Sequence, residues 1–352
     1  MLPEHDQDES NASATHHDGR DRGAPAVKDV RQVSTPTAGQ SLTRARKGVA
    51  VGGSGPPPGK RKARRPGPSP LILLAFAAPS LILLLLINLY PLIYAGWQSL
   101  RDGSLISAGD FVGLENYKDV LTDPVFWQAT RFTVIFTVVG VFGSWAVGLA
   151  LALLLKTRIP FNTGFKVLLL LPWVVPVVVS ATSWNWLVAT PQSPMPILAE
   201  ALGLGNVLFL ANPLLAQITV CVFKVWISFP FMMTMMAAAL ASVDSNVYEA
   251  AKVDGASKWK TLKDITLPMI SRSTYISWIL MTIFCVNDFS TIFLLTGGGP
   301  VNATQSLVVL AYVTVFQNFQ TGPGVAIAFL MTFVLVVISV VLYRRIRKVQ
   351  IL

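Results

Sequence analysis

The sequence has little charge and few of the side chains that bind metals or act as nucleophiles. Of its 352 residues only 13% are Asp, Glu, Lys or Arg, and it contains two cysteines and three histidines. His5, His16 and His17 lie close to the N-terminus, while Cys221 and Cys285 lie in apolar segments, where we expect buried thiols. This composition excludes an ordinary soluble domain, a disulfide framework and a His/Cys metal site, and it offers no catalytic constellation.

Apolar sequence is abundant, at 53% of all residues. Six segments reach the roughly 20 residues that are needed to cross a bilayer. They are residues 71–98, 132–155, 167–190, 214–240, 270–295 and 324–343. Pro172, Pro176 and Pro230 fall within the third and fourth segments, and bundled membrane helices tolerate such prolines. The sequence therefore predicts an all-α integral membrane protein with six transmembrane helices.

The net charge of +10 is concentrated in alternate connections between these segments. Basic residues precede the first span, lie between the second and third, surround the loop before the fifth and follow the sixth. The connections 191–213 and 296–323 contain neither Lys nor Arg. By the positive-inside rule, both termini and the basic loops are predicted to be cytoplasmic. A nucleic-acid-binding surface is disfavoured, because no basic patch with interleaved aromatic residues lies outside the apolar segments.

Residues 1–70 differ in composition from the rest of the chain. They begin acidic and become rich in Gly and Pro and strongly basic. We predict a disordered cytoplasmic tail whose basic end lies near anionic lipid headgroups, followed by a membrane domain at 71–348. The stretch Gly53–Lys60 is not a phosphate-binding loop, because its spacing is wrong and Arg61 stands where Ser or Thr is required.

A polar loop at 241–268 separates the fourth and fifth apolar segments. It reads Glu249-Ala-Ala, three residues, Gly255, nine residues, then Ile265-x-Leu-Pro268. Asn246 with Glu249 forms a predicted capping box for a first short helix, and Gly255 permits a turn.

A second short helix is predicted after the turn, capped by Ser257 and ending at Pro268. Trp259, Leu262 and Ile265 recur at every third position and form an apolar stripe along it. The loop is thus predicted to form a helix–turn–helix protrusion. On periodicity alone, an amphipathic helix lying on the membrane surface is an equal alternative.

The spacing of this loop resembles the cytoplasmic signature loop of ABC importer permeases at each defining position. Further stretches resemble the sugar-transporting branch of that family, in particular the first permease subunit of maltose, trehalose and glycerol-phosphate systems. They are Tyr90-Pro91, Phe111–Tyr117, Trp226-x-x-x-Pro-Phe231 and Leu295–Thr304. The resemblance covers about residues 71–345. Ser271 and Ser290 depart from it, since many relatives have proline and aspartate there.

The resemblance implies the type I ABC importer permease fold in a bacterial or archaeal cytoplasmic membrane. It implies a second homologous permease, two ATPase subunits that hold ATP and Mg²⁺, and an extracytoplasmic solute-binding protein. No ATPase site or cofactor is expected on this chain itself. The loop would be the coupling helix, with Glu249 against the ATPase, Gly255 at the bend and small alanines for close packing. The implied coupling residues are Glu249, Ala250, Ala251, Asp254, Gly255, Ala256, Trp259, Leu262, Ile265, Leu267 and Pro268.

Polar side chains within the predicted spans are candidates for a substrate path, because burying them in a bilayer is costly. Amide and carboxylate groups beside aromatic rings suit the hydroxyls and ring faces of a sugar. The candidates are Asn287, Asp288, Lys224, Asn185, Trp184 and Trp226.

Each of these candidates has a structural alternative. Trp184, like Trp186, would also suit an interfacial aromatic belt, and Asn185 and Asn287 would also suit contacts between helices. Lys224 and Asp288 would also suit an ion pair, although the helical rise places them about 10 Å apart in height.

The leading hypothesis is a carbohydrate importer, with a disaccharide or oligosaccharide as substrate. The alternatives are an ABC importer for glycerophosphoesters or polyols, and an ion-coupled secondary transporter that uses Asp288 and Lys224 as a proton relay. The halves of the sequence contain no convincing repeat, which disfavours the secondary transporter.

Overall fold

The computed structural model describes residues 70–107, 109–157 and 161–349. Apart from Pro70, the predicted tail and the Gly53–Lys60 stretch lie outside the described residues. Within the described part, the helices are α1 (Pro70–Gln98), α2 (Glu115–Thr122), α3 (Pro124–Lys156), α4 (Asn162–Val174), α5 (Val177–Val188), α6 (Pro194–Ala201), α7 (Pro213–Ala241), α8 (Ser245–Val253), α9 (Lys258–Lys260), α10 (Leu267–Val286), α11 (Phe289–Thr296), α12 (Leu307–Tyr312) and α13 (Thr321–Val349). Two π-helical segments, Thr261–Thr266 and Val313–Gln317, complete the order.

The long helices provide the membrane-crossing elements. Five helices are long and apolar enough to span a bilayer: α1, α3, α7, the continuous helix Lys258–Val286 and α13. The pair α4 and α5 provides a sixth crossing if it is counted as one bent span. Outside these helices and their turns, the described residues contain one isolated β-bridge, between Arg101 and Phe111. The predicted all-α membrane architecture is confirmed.

The third predicted span, 167–190, is not a straight helix. Its halves α4 and α5 meet at an angle of 90°. Val175 is extended and Pro176 precedes the first residue of α5. Proline disfavours helical backbone in the residue before it and lacks the N–H that would continue the hydrogen-bond ladder. Pro176 therefore breaks this span, whereas Pro172 lies within α4 and Pro230 lies within α7, as predicted.

The fifth predicted span, 270–295, is also interrupted. The helix that begins at Lys258 ends at Val286, and α11 begins only at Phe289. Asn287 and Asp288 form the break between them. The second predicted span starts earlier than expected, at Pro124, because the Asp123 side chain caps the helix and proline suits its first turn.

The centre of the bundle is the pair α3 and α7, with α10 packed against both. Gly148 permits the close approach, because a Cβ at this position would lie 2.6 Å from the Met233 backbone nitrogen. Near the end of the bundle that carries α8, a cluster of buried apolar side chains continues this packing; it includes Leu149, Ala152, Met236, Leu240 and Ile270. We call this the loop end of the bundle.

Candidate functional site

The first helix of the loop, α8, begins two residues earlier than the sequence predicts. Its N-cap is Asp244, whose Oδ1 accepts a hydrogen bond of 3.0 Å from the backbone N–H of Asn246. The predicted capping box of Asn246 and Glu249 is therefore wrong in detail. Both residues follow the cap and lie within α8, and the Glu249 side chain is exposed. An aspartate accepts this backbone hydrogen bond as well as asparagine does and also favours the positive helix end.

The turn and the second cap occur as predicted. Gly255 has a φ of +71°, which side chains larger than hydrogen disfavour. The Ser257 hydroxyl accepts a hydrogen bond from the backbone N–H of Lys260. Pro268, however, does not end the second helix. The chain continues from α9 through the π-helical Thr261–Thr266 into α10, and Pro268 lies inside this continuous helix, just after the π-helical segment.

The predicted coupling residues divide by exposure into a covered side and an open side. Ala251 is 5% exposed and packs inward, and Ala256, Leu262, Ile265 and Leu267 are half-buried. Glu249, Ala250, Asp254, Gly255 and Pro268 are exposed, and Trp259 is 72% exposed. The apolar stripe is therefore open at Trp259 and partly covered further along. Val253, which the sequence reasoning missed, is 88% exposed and adds a second open apolar side chain.

The loop is attached to the bundle by a contact that the sequence did not reveal. The Lys156 ammonium at the end of α3 lies 4.0 Å from the centre of the Tyr248 ring in α8. Such cation–π contacts are favourable by about 0.5–1 kcal/mol at exposed sites. The two residues are far apart in the sequence, and neither lies in a pattern that indicates the pairing. The loop is therefore connected to two spans: to α3 by this contact, and to α10 because α9 continues into it.

The polar residues of the predicted substrate path meet where the fifth span is interrupted. Lys224 of α7 is 5% exposed, and its Nζ lies 2.7 Å from Oδ2 of Asp288. The other carboxylate oxygen of Asp288 accepts a hydrogen bond from the backbone N–H of Thr291 and so caps α11. Asp288 thus pairs with a buried cation and caps the N-terminus of α11 with the same side chain.

The estimated height difference between Lys224 and Asp288 is wrong. It assumed an unbroken helix with a constant rise, whereas the chain leaves the helical path after Val286. The alternative of an ion pair is the arrangement found. The pair lies beside the Phe136 ring, whose centre is 5.8 Å from the Lys224 ammonium.

The remaining candidates lie on neighbouring elements. Asn185 of α5 donates a hydrogen bond of 3.1 Å to the backbone oxygen of Leu295 in α11, which is the predicted alternative of a contact between helices. Asn287 is exposed, and its side chain donates a hydrogen bond to the backbone oxygen of Ile283, in the last turn of the preceding helix α10. The Asn185 side chain therefore connects α5 to α11, whereas the Asn287 side chain is exposed.

An aromatic cluster lies next to this polar group. The rings of Trp184 and Trp226 are 5.6 Å apart, and each packs against Phe223, at 5.2 and 5.9 Å. Trp184 is thus part of the bundle rather than of an exposed belt, while Trp186 is 68% exposed. The arrangement combines a charged pair, an open amide and aromatic faces, and it can bind a polar solute by hydrogen bonds and ring contacts.

Comparison with known proteins assigns the chain to a family. Residues 146–349 match the family described as "Binding-protein-dependent transport system inner membrane component". The chain is 35% identical over 271 residues to the trehalose/maltose transport system permease protein MalF of Thermococcus litoralis, covering 77% of this chain and 91% of that protein. It is 31% identical over 280 residues to the sulfoquinovosyl glycerol transport system permease protein SmoG of Agrobacterium fabrum, covering 79% of this chain and 91% of that protein.

A solved structure shares the fold. The crystal structure of a bacterial alginate ABC transporter in complex with an alginate pentasaccharide-bound periplasmic protein contains a chain that aligns with a TM-score of 0.70 at 19% identity. The alignment covers 79% of this chain and 95% of that chain. The predicted type I ABC importer permease fold is confirmed. The resemblance seen in the Glu249–Pro268 loop is confirmed as well, and the chain belongs to the family of binding-protein-dependent transport system inner membrane components.

Proposed function

We propose that this chain is one permease subunit of an ATP-driven ABC importer for a carbohydrate, either a disaccharide or an oligosaccharide. It forms half of the translocation path, together with a second homologous permease. The names of its relatives support this solute class, since they include a trehalose/maltose permease and a sulfoquinovosyl glycerol permease. Membership of a binding-protein-dependent family favours this mechanism over the ion-coupled alternative.

The exposed loop from α8 to α9 is the observation that carries the proposal. An ATPase subunit binds its open side, at Glu249, Val253 and Trp259. Because α9 continues without interruption into α10, a displacement of the loop moves α10 as one body. The movement reaches the break at Asn287 and Asp288. Closure of two ATPase subunits on ATP would thereby change access to the polar group in the bundle.

The solute path is formed by the polar group and its aromatic neighbours. The Lys224–Asp288 pair has no net charge but presents a donor and acceptors, which suits the hydroxyl groups of a neutral sugar. Trp184 and Trp226 supply apolar ring faces of the kind that pack on sugar rings. The proposed path residues are Asn287, Asp288, Lys224, Asn185, Trp184 and Trp226.

The proposed orientation in the membrane follows from the distribution of charge. The loop end and both termini face the cytoplasm, and an extracytoplasmic solute-binding protein docks at the opposite end. ATP and Mg²⁺ are held by the ATPase subunits, and this chain performs no bond chemistry. Residues 1–70 form the basic cytoplasmic tail, 71–348 the permease domain and 241–268 its coupling loop.

The test is ATPase activity of the purified assembly in lipid, with and without the sugar-loaded binding protein. We expect Glu249→Ala and Gly255→Pro to abolish stimulation by the binding protein while the spans stay folded. Lys263→Ala is the matched control, since its exposed side chain lies in the same loop outside the proposed contact. Transport driven by an ion gradient without any ATPase subunit would refute the proposal.

A further inference from the structure

A pocket at the loop end combines apolar walls with basic side chains. It has a volume of about 380 Å³ and lies between α3, α4 and α7. Lys156 from α3 and Lys166 from α4 line it together with apolar side chains, which include Leu155, Leu170, Met233 and Leu240. Neither Asp nor Glu is among the described residues that line it. The pocket therefore carries the positive charge of two lysines and is otherwise lined mainly by apolar side chains.

The position of the pocket corresponds to the headgroup depth of a membrane. Lys156 is the last residue of α3, Lys166 lies near the start of α4, and α7 ends at Ala241. Both lysine side chains are exposed, whereas Leu155, Met233 and Leu240 are buried below them. Long cationic side chains at the end of a span extend their charge to the interface and leave their apolar stems along the hydrocarbon. The pocket thus has a charged rim and an apolar interior.

The start of α4 adds to the positive potential. Its first residue follows Phe161, which has a φ of +59°. The first backbone N–H groups of a helix carry a partial positive charge. Lys166 lies about one turn into this helix, so the lysine and the helix end favour the same anion.

We infer that this pocket binds one anionic phospholipid, with the phosphate between Lys156 and Lys166 and an acyl chain along the apolar walls. Basic pockets between spans on the side of the basic loops are suited to such headgroups. A sugar fits it poorly, because Thr234 already donates to the Pro230 backbone oxygen and the lysines offer donors only. An acidic side chain of a protein would neutralise the rim but leave the apolar interior unfilled.

The lipid would also influence the loop. Lys156 stacks on Tyr248 of α8 and at the same time lines the pocket. A phosphate beside Lys156 fixes the lysine that holds α8 against α3. Bound lipid is therefore expected to stabilise the loop in its docked position. The binding itself depends on neither the transported solute nor the ATPase, so it stands apart from the proposed function.

The experiment measures phosphatidylglycerol retained by the assembled transporter. The complex is purified from nanodiscs with increasing fractions of phosphatidylglycerol in phosphatidylcholine, and bound lipid is counted by native mass spectrometry. Each lysine near an anionic headgroup is expected to raise the affinity for phosphatidylglycerol about 5-fold. Lys166→Gln should therefore lower that affinity about 5-fold, and the Lys156→Gln/Lys166→Gln variant should lower it about 30-fold. Lys166→Gln leaves the contact between Lys156 and Tyr248 intact, so it distinguishes the loss of lipid binding from the loss of that contact.

Three variants make the result specific. Lys258→Gln/Lys263→Gln removes the same charge from exposed positions outside the pocket and should retain lipid as the wild type does. Lys156→Arg/Lys166→Arg should also retain it. Ala237→Leu, which fills the pocket and keeps both charges, should reduce retention. Equal retention by the double glutamine variant and the wild type would overturn the inference, as would crosslinking of both lysines to carboxylates of the ATPase in place of bound lipid.

Discussion

The proposed coupling loop and the break at Asn287–Asp288 are polar segments at opposite ends of the same helix, Lys258–Val286. In the loop, the polar side chains satisfy backbone groups two or three residues away, as Asp244 does for Asn246 and Ser257 does for Lys260. In the break, Asp288 pairs with Lys224, which lies 64 residues earlier on another span. Apart from the Lys156–Tyr248 contact and the buried Ala251, the loop is stabilised by such local hydrogen bonds and has one exposed side, whereas the break is stabilised by the bundle itself.

This difference implies that the two regions respond differently to substitution. A changed side chain in the loop should alter coupling while the bundle remains folded. A changed side chain at the break should alter the stability of the whole bundle, because it leaves a buried group without its partner. Substitutions at Asp288, Gly255 and Asp244 test this distinction, and Gly148→Ala adds a site in the bundle that is part of neither region.

The largest effect is expected at Asp288. Asp288→Ala leaves the Lys224 ammonium without its counter-charge and removes the α11 cap, at a cost on the order of 3–5 kcal/mol in the free energy of unfolding. Thermal unfolding of the assembled transporter in detergent measures this loss. Lys224→Met combined with Asp288→Leu should recover most of it, since an apolar pair of similar size is often neutral. An Asp288→Ala transporter that assembles and takes up substrate normally would contradict both the structural and the substrate role.

The second-largest loss of stability is expected from Gly148→Ala, at the contact between α3 and α7. A Cβ at Gly148 would lie 2.6 Å from the Met233 nitrogen, so Gly148→Ala forces the two helices apart. Overpacking of this kind costs about 1–3 kcal/mol. Gly164→Ala is the matched control, because nothing lies within 4 Å of the added atom and α4 gains helix propensity. Equal melting temperatures for the two variants would show that the contact does not limit the packing of the bundle.

A smaller effect is expected at the turn of the loop. Gly255→Ala places a side chain at a φ of +71°, which costs about 1–2 kcal/mol locally. Stimulation of ATPase by the loaded binding protein should fall while the melting temperature of the bundle changes little. Gly203→Ala introduces the same strain, at a φ of +77° and in equally open space, but outside the loop. Stimulation of ATPase activity should be normal in the Gly203→Ala transporter. An equal loss of stimulation would mean that backbone strain as such, rather than strain at the position of Gly255, is responsible.

The smallest effect is expected from substitutions at the start of α8, which distinguish the observed cap, Asp244, from the predicted cap, Asn246. Asp244→Ala removes the side chain that accepts from Asn246 N–H, at about 1 kcal/mol. Hydrogen exchange of the α8 amides should become faster. Asn246→Ala should leave exchange nearly unchanged, and faster exchange in that variant alone would restore the predicted capping box.

The success of sequence reasoning differed between the regions for a physical reason. The turn at Gly255 and the cap at Ser257 depend on neighbours within a few residues, so the pattern of the loop was enough to predict them. Lys156 and Tyr248 meet only because α3 ends beside α8, and no local pattern indicates such a contact. Val253 was missed because the exposure of a valine in a polar loop depends on which face packs against the bundle.

The sequence by itself determined that the chain spans a membrane, that it is helical and that one loop has the spacing of a permease family. The first two properties follow from the length of the apolar runs and from local backbone preferences, and the third is a resemblance of residue spacing. The tertiary structure decided where the third and fifth spans break, which polar side chains share a charge pair, and which face of the loop is open. These features depend on the meeting of distant segments, where a buried ammonium and carboxylate stabilise each other only if the bundle brings them together.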